Sequence, residues 1–382
     1  MLNALNFAFL NELREIKNSW YKIFLLTLFP ILSFAFLVAI FYRGVASDLP
    51  IVIVDKDRSD LSRRVIFNIN ANSTVDIKYK VSTTKEALEL IEESRAYALL
   101  EIPSNFKRDI LLQTQPKVTV MLNTQYILVG KIIKAALVES IMNSAGEIEF
   151  LKNLVTTQNS DESIAKITPI GLQITPFFNT YKNYSLFLIS ALLPSLWQIF
   201  IVVATLVSFG TLFKAGREKE FFGSTHIEIK IIGKLLPYTL MYLLLGVSFL
   251  AFIYGTEGWI FQGSVVVTIF AMFLTIIAYQ GVALLFFVTG FDYARSLSLG
   301  AVYTAPAFAF LGVTFPVSSM NGFALFWRDL LPISHYMELQ ISQANYGVNI
   351  FMESDKLISI ALFLLLFIPI FFRFKLKLRK EQ

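Results

Sequence analysis

Six stretches of this 382-residue chain, residues 23–42, 185–213, 235–254, 264–289, 296–317 and 357–372, are long runs of apolar side chains with almost no charge. A bilayer core takes about 20 such residues per helix, and backbone in hydrocarbon must satisfy its own hydrogen bonds, so each run predicts a membrane-spanning helix. Composition agrees: 55% of residues are hydrophobic, 16% are charged and mean hydropathy is +0.61. Too few polar side chains remain to cover a water-soluble body, which excludes an ordinary globular enzyme and a disordered chain alike. The sixth run is short for a span. Pro369, with Arg373, Lys375 and Lys377 after it, predicts a helix that reaches the interface by snorkelling.

Orientation follows from Lys and Arg. Arg14, Lys17 and Lys22 precede the first run, and Lys214, Arg217, Lys219, Lys230 and Lys234 separate the second from the third. Arg295 follows the fourth, and Arg373, Lys375, Lys377, Arg379 and Lys380 accompany the end of the sixth. The turn over 255–263 has Glu257 and neither Lys nor Arg, and 317–356 holds just Arg328 and Lys356. The positive-inside rule then puts both termini in the cytoplasm and residues 43–184 outside, since long translocated domains escape the rule. No short basic segment precedes the first run and no small-residue cleavage site follows it, which predicts a retained span.

Three parts face water or the interface. In residues 1–22, Leu2, Leu5, Phe9, Leu13, Ile16 and Trp20 recur at steps of three and four, with Asn6, Glu12, Arg14, Glu15 and Lys17 between them. That is an amphipathic helix, expected flat on the cytoplasmic interface with Trp20 and Tyr21 at headgroup level, or packed on a cytosolic partner. Residues 43–184 alternate strand and helix signals and predict a small α/β domain. Strands are expected at 50–54, 75–81, 96–102 and 117–123, with helices at 59–69, 85–95 (Ala87, Leu88 and Ile91 inward), 104–112 and 127–154. Asp55, Asp57 and Asp60 form D-x-D-x-x-D, but the glycine and closing glutamate of a calcium loop are missing, so a solvated turn is expected. In residues 318–356, Phe323, Phe326, Trp327, Leu330 and Leu331 are too apolar for a free loop and too short to span, which predicts two short re-entrant or interfacial helices broken at Pro332.

Much chemistry is absent. With no cysteine, and with just His226 and His335 as imidazoles, thiolate zinc sites, disulfides and HExxH metal sites are excluded. No phosphate-binding G-x-x-x-x-G-K-[ST] and no G-x-S-x-G elbow occurs, so the chain has no nucleotide site of that kind and is not expected to be an enzyme. The centres of the six runs hold no acidic, basic or histidine side chain, whereas ion-coupled carriers keep such groups at membrane depth. Nothing in a net charge of +5 points to nucleic acid. The informative segment is 214–234, where Arg217, Glu218, Lys219 and Glu220 sit beside Phe221 and Phe222 before Gly223, Ser224 and Thr225. It reads as a solvated loop or as a docking surface, and an exposed phenylalanine pair would favour docking.

Here the chain resembles the permease subunits of ABC-2 type exporters, in the subclass with a large extracytoplasmic domain between the first two spans. Residues Arg217, Glu218, Glu220, Gly223 and Ser224, then Gly233, Lys234, Leu235, Leu236, Pro237 and Tyr238, are similar to that family's charged cluster and the approach to its third span. Phe315, Pro316, Met320, Leu331, Pro332 and Glu338 are similar to its segment after the fifth. So are residues 49–55, with Leu61 and Ser62, to the first strand and helix of its outer domain. Departures are Phe221 and Phe222 before Gly223, and His335 where the family often has an aromatic residue or threonine.

The resemblance implies a six-span α-helical membrane protein with an α/β domain at 43–184. It would be an exporter permease in the bacterial inner membrane, paired with a second permease copy and with two cytosolic ATPase subunits that bind ATP and magnesium; this chain itself holds no cofactor or metal. Arg217, Glu218, Lys219, Glu220, Phe221, Phe222, Gly223 and Ser224 would couple to the ATPase. Leu5, Phe9, Leu13, Ile16 and Trp20 would mark the interfacial elbow helix, and Phe315, Pro316, Trp327, Pro332 and Glu338 the outer re-entrant segment. A periplasmic adaptor and membrane lipid are further partners of such proteins. The 37 phenylalanines suit an amphiphilic or hydrophobic cargo without selecting one. A membrane-anchored receptor or scaffold that binds a partner through 43–184 is the alternative, and an ion-coupled carrier a third.

Overall fold

The computed structural model describes residues 1–41, 44, 46–112, 114–157, 184–223, 226–256, 260–313 and 315–380. The chain forms two compact units, Met1–Tyr42 with Ser185–Gln382, and Arg43–Tyr184. The first is a helical bundle. Among the described residues, five of its helices are long and apolar enough to cross a membrane: Trp20–Phe41, Phe187–Lys214, Ile227–Gly255, Val265–Val288 and Ser354–Arg379. Two prolines are absorbed by changes of helical pitch. A π turn at Phe24–Leu28 precedes Pro30, and a 3-10 turn at Phe363–Leu366 precedes Pro369, each making room where the proline ring meets the carbonyl four residues back. The last helix is therefore not short, since it begins at Ser354 and continues through Arg373 and Lys377.

The fifth expected span is not a continuous helix. A 12-residue helix Tyr293–Thr304 is followed by the short Ala307–Phe310, and 12 residues reach only about 18 Å. Pro306 has no N–H to carry the ladder forward, and Gly312 takes φ +82°, a value that suits glycine. One buried side chain reaches the backbone at the break, and two tyrosines tie this region to the segment beyond it. Gln198 donates to the Thr304 carbonyl at 3.3 Å. The Tyr279 hydroxyl donates to Gln198 Oε1 and accepts the Ile333 N–H at 3.3 Å, while the Tyr303 hydroxyl donates to the Leu330 carbonyl. Beyond the break lie two short helices, Gly322–Asp329 and Pro332–Ile341, the second opened by Pro332.

The second unit is a four-stranded sheet, β1 Leu49–Asp55, β2 Val75–Val81, β3 Ala98–Ile102 and β4 Thr119–Leu122, in the order β2-β1-β3-β4. β1 runs parallel to β2 and β3, and β4 is antiparallel to β3. β1 is apolar up to Val54, with Ile51 to Val54 buried, because both faces are covered. Ile51 and Ile53 pack with Val65, Ile69, Ile133 and Leu137, while Val52 and Val54 pack with Ala87 and Leu99. Helices Asp60–Asn70 and Thr84–Glu92 start on the hydroxyls of Ser59 and Thr83, which cap Ser62 and Glu86. Leu88, expected inward, is exposed, and Leu90 packs in its place. The three aspartates serve the turn after β1. Asp55 accepts the N–H groups of Asp57 and Arg58 and the Ser62 hydroxyl, Asp57 accepts the Lys107 N–H, and Asp60 pairs with the Lys107 ammonium at 2.6 Å.

Candidate functional site

At the charged end of the bundle, the N-terminal helix Leu2–Lys17 lies across the helix Ile227–Thr256. The crossing is close because position 233 is glycine. A Cβ there would stand 2.7 Å from the Leu5 carbonyl oxygen and 2.9 Å from Ala8 Cβ. The helix buries Ala8 and Glu12, one turn apart, and leaves its apolar stripe beside that contact. Leu5, Phe9 and Ile16 are half-buried, while Leu13 and, further on, Trp20 are exposed. Glu12, expected on the polar back, is instead the most deeply placed charge of the assembly. The crossing by this chain's own third apolar helix selects the Ala8 edge over the leucine stripe, since only there can two backbones approach.

Glu12 joins four elements. Its Oε1 accepts from Tyr238 at 2.6 Å, Ser208 at 2.9 Å and Lys22 at 3.3 Å, and its Oε2 pairs with Lys234. Lys22 opens the first apolar helix, Ser208 belongs to the second, and Lys234 and Tyr238 belong to the third. The side chains of Glu12, Lys22 and Lys234 are 0%, 3% and 2% exposed. Burial pushes the Glu12 carboxyl up, but Lys234 and Lys22 beside it outweigh that and hold it below the usual carboxylate range.

The charged segment sits directly on this cluster. Residues Glu218–Phe222 form a single helical turn that ends at Gly223, whose φ of +57° lies in the left-handed region. Phe221 and Phe222, expected exposed, are buried. Phe222 meets Phe209 and Phe374 at ring centroid distances of 6.4 and 5.6 Å, and the Lys234 ammonium lies 5.0 Å from the Phe221 centroid. The two rings are thus an anchor into the bundle and not an aromatic docking surface. A one-turn helix has two faces, and the apolar neighbours Phe209, Phe374 and Phe7 take the phenylalanine face. What it presents outward is polar: Lys219 and Glu220 are exposed and Glu218 is half-buried. Arg217 pairs with Glu15 at 2.9 Å, holding that carboxyl below its ordinary value, and Lys230 donates to the Phe222 carbonyl at 2.5 Å. Ser224 lies outside the described residues.

The structure therefore brings Leu5, Phe9, Ile16 and the Arg217–Gly223 turn into one neighbourhood. The second sequence-derived group stands elsewhere in the unit. Trp327 packs against Tyr303 and Phe310 at 6.4 and 6.5 Å, and Glu338 accepts from Arg328 at 2.5 Å, while Phe315 and Pro316 are exposed. Glu12, Lys22, Ser208, Lys234 and Tyr238 were not legible as a unit. Their one sequence signal is charge embedded in apolar surroundings, as in Ile231-Ile232-Gly233-Lys234-Leu235-Leu236.

A bundle with five helices long and apolar enough to cross a membrane, and a cluster of buried charges at one end, has the form of a membrane protein. Residues 20–374 match the family of ABC-2 family transporter proteins, and the chain belongs to that family. It is an ABC transporter permease, a membrane component without a nucleotide-binding domain of its own, and such permeases generally work with an ATPase partner. No individual curated protein matches it.

Proposed function

We propose that this chain is the permease of an ATP-driven exporter in a bacterial inner membrane. Both termini would be cytoplasmic, with a second permease copy beside it and a pair of cytosolic ATPase subunits, loaded with ATP and magnesium, beneath. The Glu218–Phe222 turn is the surface the ATPase pushes: Lys219 and Glu220 face out, and Phe221 and Phe222 transmit the load inward. Glu12 carries this reading. One carboxylate ties the N-terminal helix to three membrane helices at the point where Phe221 lies over Lys234, so a displacement of the turn cannot leave the first apolar helix where it was. Residues 43–184 lie on the outer side, shaping the exit or meeting a periplasmic adaptor. The abundance of phenylalanine, 37 in the chain, suits an amphiphilic or hydrophobic cargo moving outward.

The test is purification of the tagged chain in mild detergent, with mass spectrometry of its partners and an ATPase assay. A stoichiometric P-loop protein whose ATPase activity and export fall in Glu218→Ala and Glu220→Ala, with membrane insertion intact, is the expected result. A chain that isolates alone and inert towards ATP, yet binds a ligand through 43–184, would replace this reading with a receptor.

A further inference from the structure

The long helix Ile127–Thr157 of the outer α/β unit has an inner and an outer face. Ile133, Ala136, Leu137, Ser140 and Ser144 are buried. Asn72 donates to Ser140 at 3.3 Å, Asn68 donates to Ser144 and Glu147 at 3.1 and 2.9 Å, and Arg64 pairs with Glu147 at 2.9 Å, so helix Asp60–Asn70 covers that side. The opposite side is exposed at Leu128, Lys131, Ala135, Val138, Met142 and Ala145. These positions follow one another at steps of three, four, three, four and three, the spacing of a two-stranded coiled-coil seam, over about 26 Å of helix. Val138 is 50% and Met142 68% exposed, on a unit where nothing else in the chain's described residues covers them.

The residues flanking the seam select the occupant. With Leu128, Ala135 and Met142 as one core position of the repeat and Lys131, Val138 and Ala145 as the other, the buried residues fall on the far side of the helix. Lys134 and Glu139 then take the two flanking positions. Both are exposed, and neither makes an ion pair among the described residues. In a parallel, in-register pair, residue 134 of one copy lies beside residue 139 of the other, and two-fold symmetry makes the contact twice. In that register the face is complementary to itself in charge, with alanines at 135 and 145 permitting close approach.

We infer that this face pairs with the same face of a second copy, forming a parallel two-helix seam along 128–145 held by Val138, Met142 and reciprocal Lys134–Glu139 contacts. Lys131, at one core position, weakens the seam while fixing its register. The inference rests on the permease working as a pair, and it adds where the outer units meet.

The chain has no cysteine, so single cysteines in the full-length protein, oxidised in native membranes, report this contact alone. Val138→Cys and Met142→Cys are expected to give covalent dimers, and Lys78→Cys, exposed on β2, is not. Lys134→Glu in the Met142→Cys background should cut the dimer yield several-fold, and Lys134→Glu with Glu139→Lys should restore it. Yields from Val138→Cys and Met142→Cys no higher than from Lys78→Cys, in a protein that native mass spectrometry still shows as a dimer, would overturn the seam and leave the paired permease standing. A monomer by native mass would remove the pairing itself. Adducts of any other mass would assign the face to a different occupant and overturn the inference.

Discussion

Replacing Glu12 by alanine tests the central cluster most directly. Glu12 receives Tyr238, Ser208, Lys22 and Lys234, and its loss leaves two ammonium groups, 3% and 2% exposed, with no counter-charge. Removing one member of a buried ion pair costs about 3–5 kcal/mol, because the remaining charge is desolvated without compensation. Two stranded lysines place Glu12→Ala at the upper end of that range. Glu12→Leu combined with Lys22→Met and Lys234→Met should recover most of the stability, since apolar replacement of a whole buried ionic group is often neutral. It should not recover coupling, because the charged tie between the N-terminal helix and three apolar helices is gone. Reversible denaturation in mixed micelles measures the first effect, and partner-dependent ATPase activity the second. A loss below about 1 kcal/mol in Glu12→Ala would refute the reasoning, since no fully buried carboxylate between two lysines is that dispensable. Equally, wild-type coupling in the apolar triple variant would show the cluster to be packing alone.

Further outcomes follow from the same geometry. Because the Glu12 carboxyl is held below its ordinary value of 4.5, its contribution is fully present above that pH and is lost as pH falls through the lower folded value; thermal melts from pH 8 to 3 should show it. Arg217→Glu and Glu15→Arg should each reduce coupled ATPase activity and together restore it. Their effect on stability should stay within about 1 kcal/mol, because the pair is partly exposed. Phe222→Ala should lose about 3–5 kcal/mol as a core aromatic, measured by micelle denaturation; a surface docking residue would lose almost nothing. Gly233→Ala should lose about 1–3 kcal/mol through overpacking against the Leu5 carbonyl and Ala8, and protease should reach the displaced N-terminal helix sooner.

Sequence alone determined the solvent. Runs of 20 or more apolar residues have one stable form in hydrocarbon, a helix, so the first four membrane helices could be read directly, as could the strand of both-face-buried residues at β1, whereas the last helix read as short. Periodicity also located the N-terminal helix, and apolar content with the break at Pro332 located the two short helices around it. Tertiary structure decided what depends on neighbours. Residues 296–317 are apolar enough to span, yet the helix breaks near Pro306, where Gln198 from another helix takes up the Thr304 carbonyl, while Tyr279, bonded to Gln198, and Tyr303 reach the backbone of the next segment. Phe221 and Phe222 look like an exposed pair until Phe209 from the preceding helix and Phe374 from the end of the last one close over Phe222. Glu12 looks like the polar back of an amphipathic helix, but hydrophobic periodicity ranks faces by side chain, whereas packing ranks them by how closely backbones approach. Gly233 and Ala8 made that choice, and it placed a carboxylate between two lysines that lie 10 and 222 residues away.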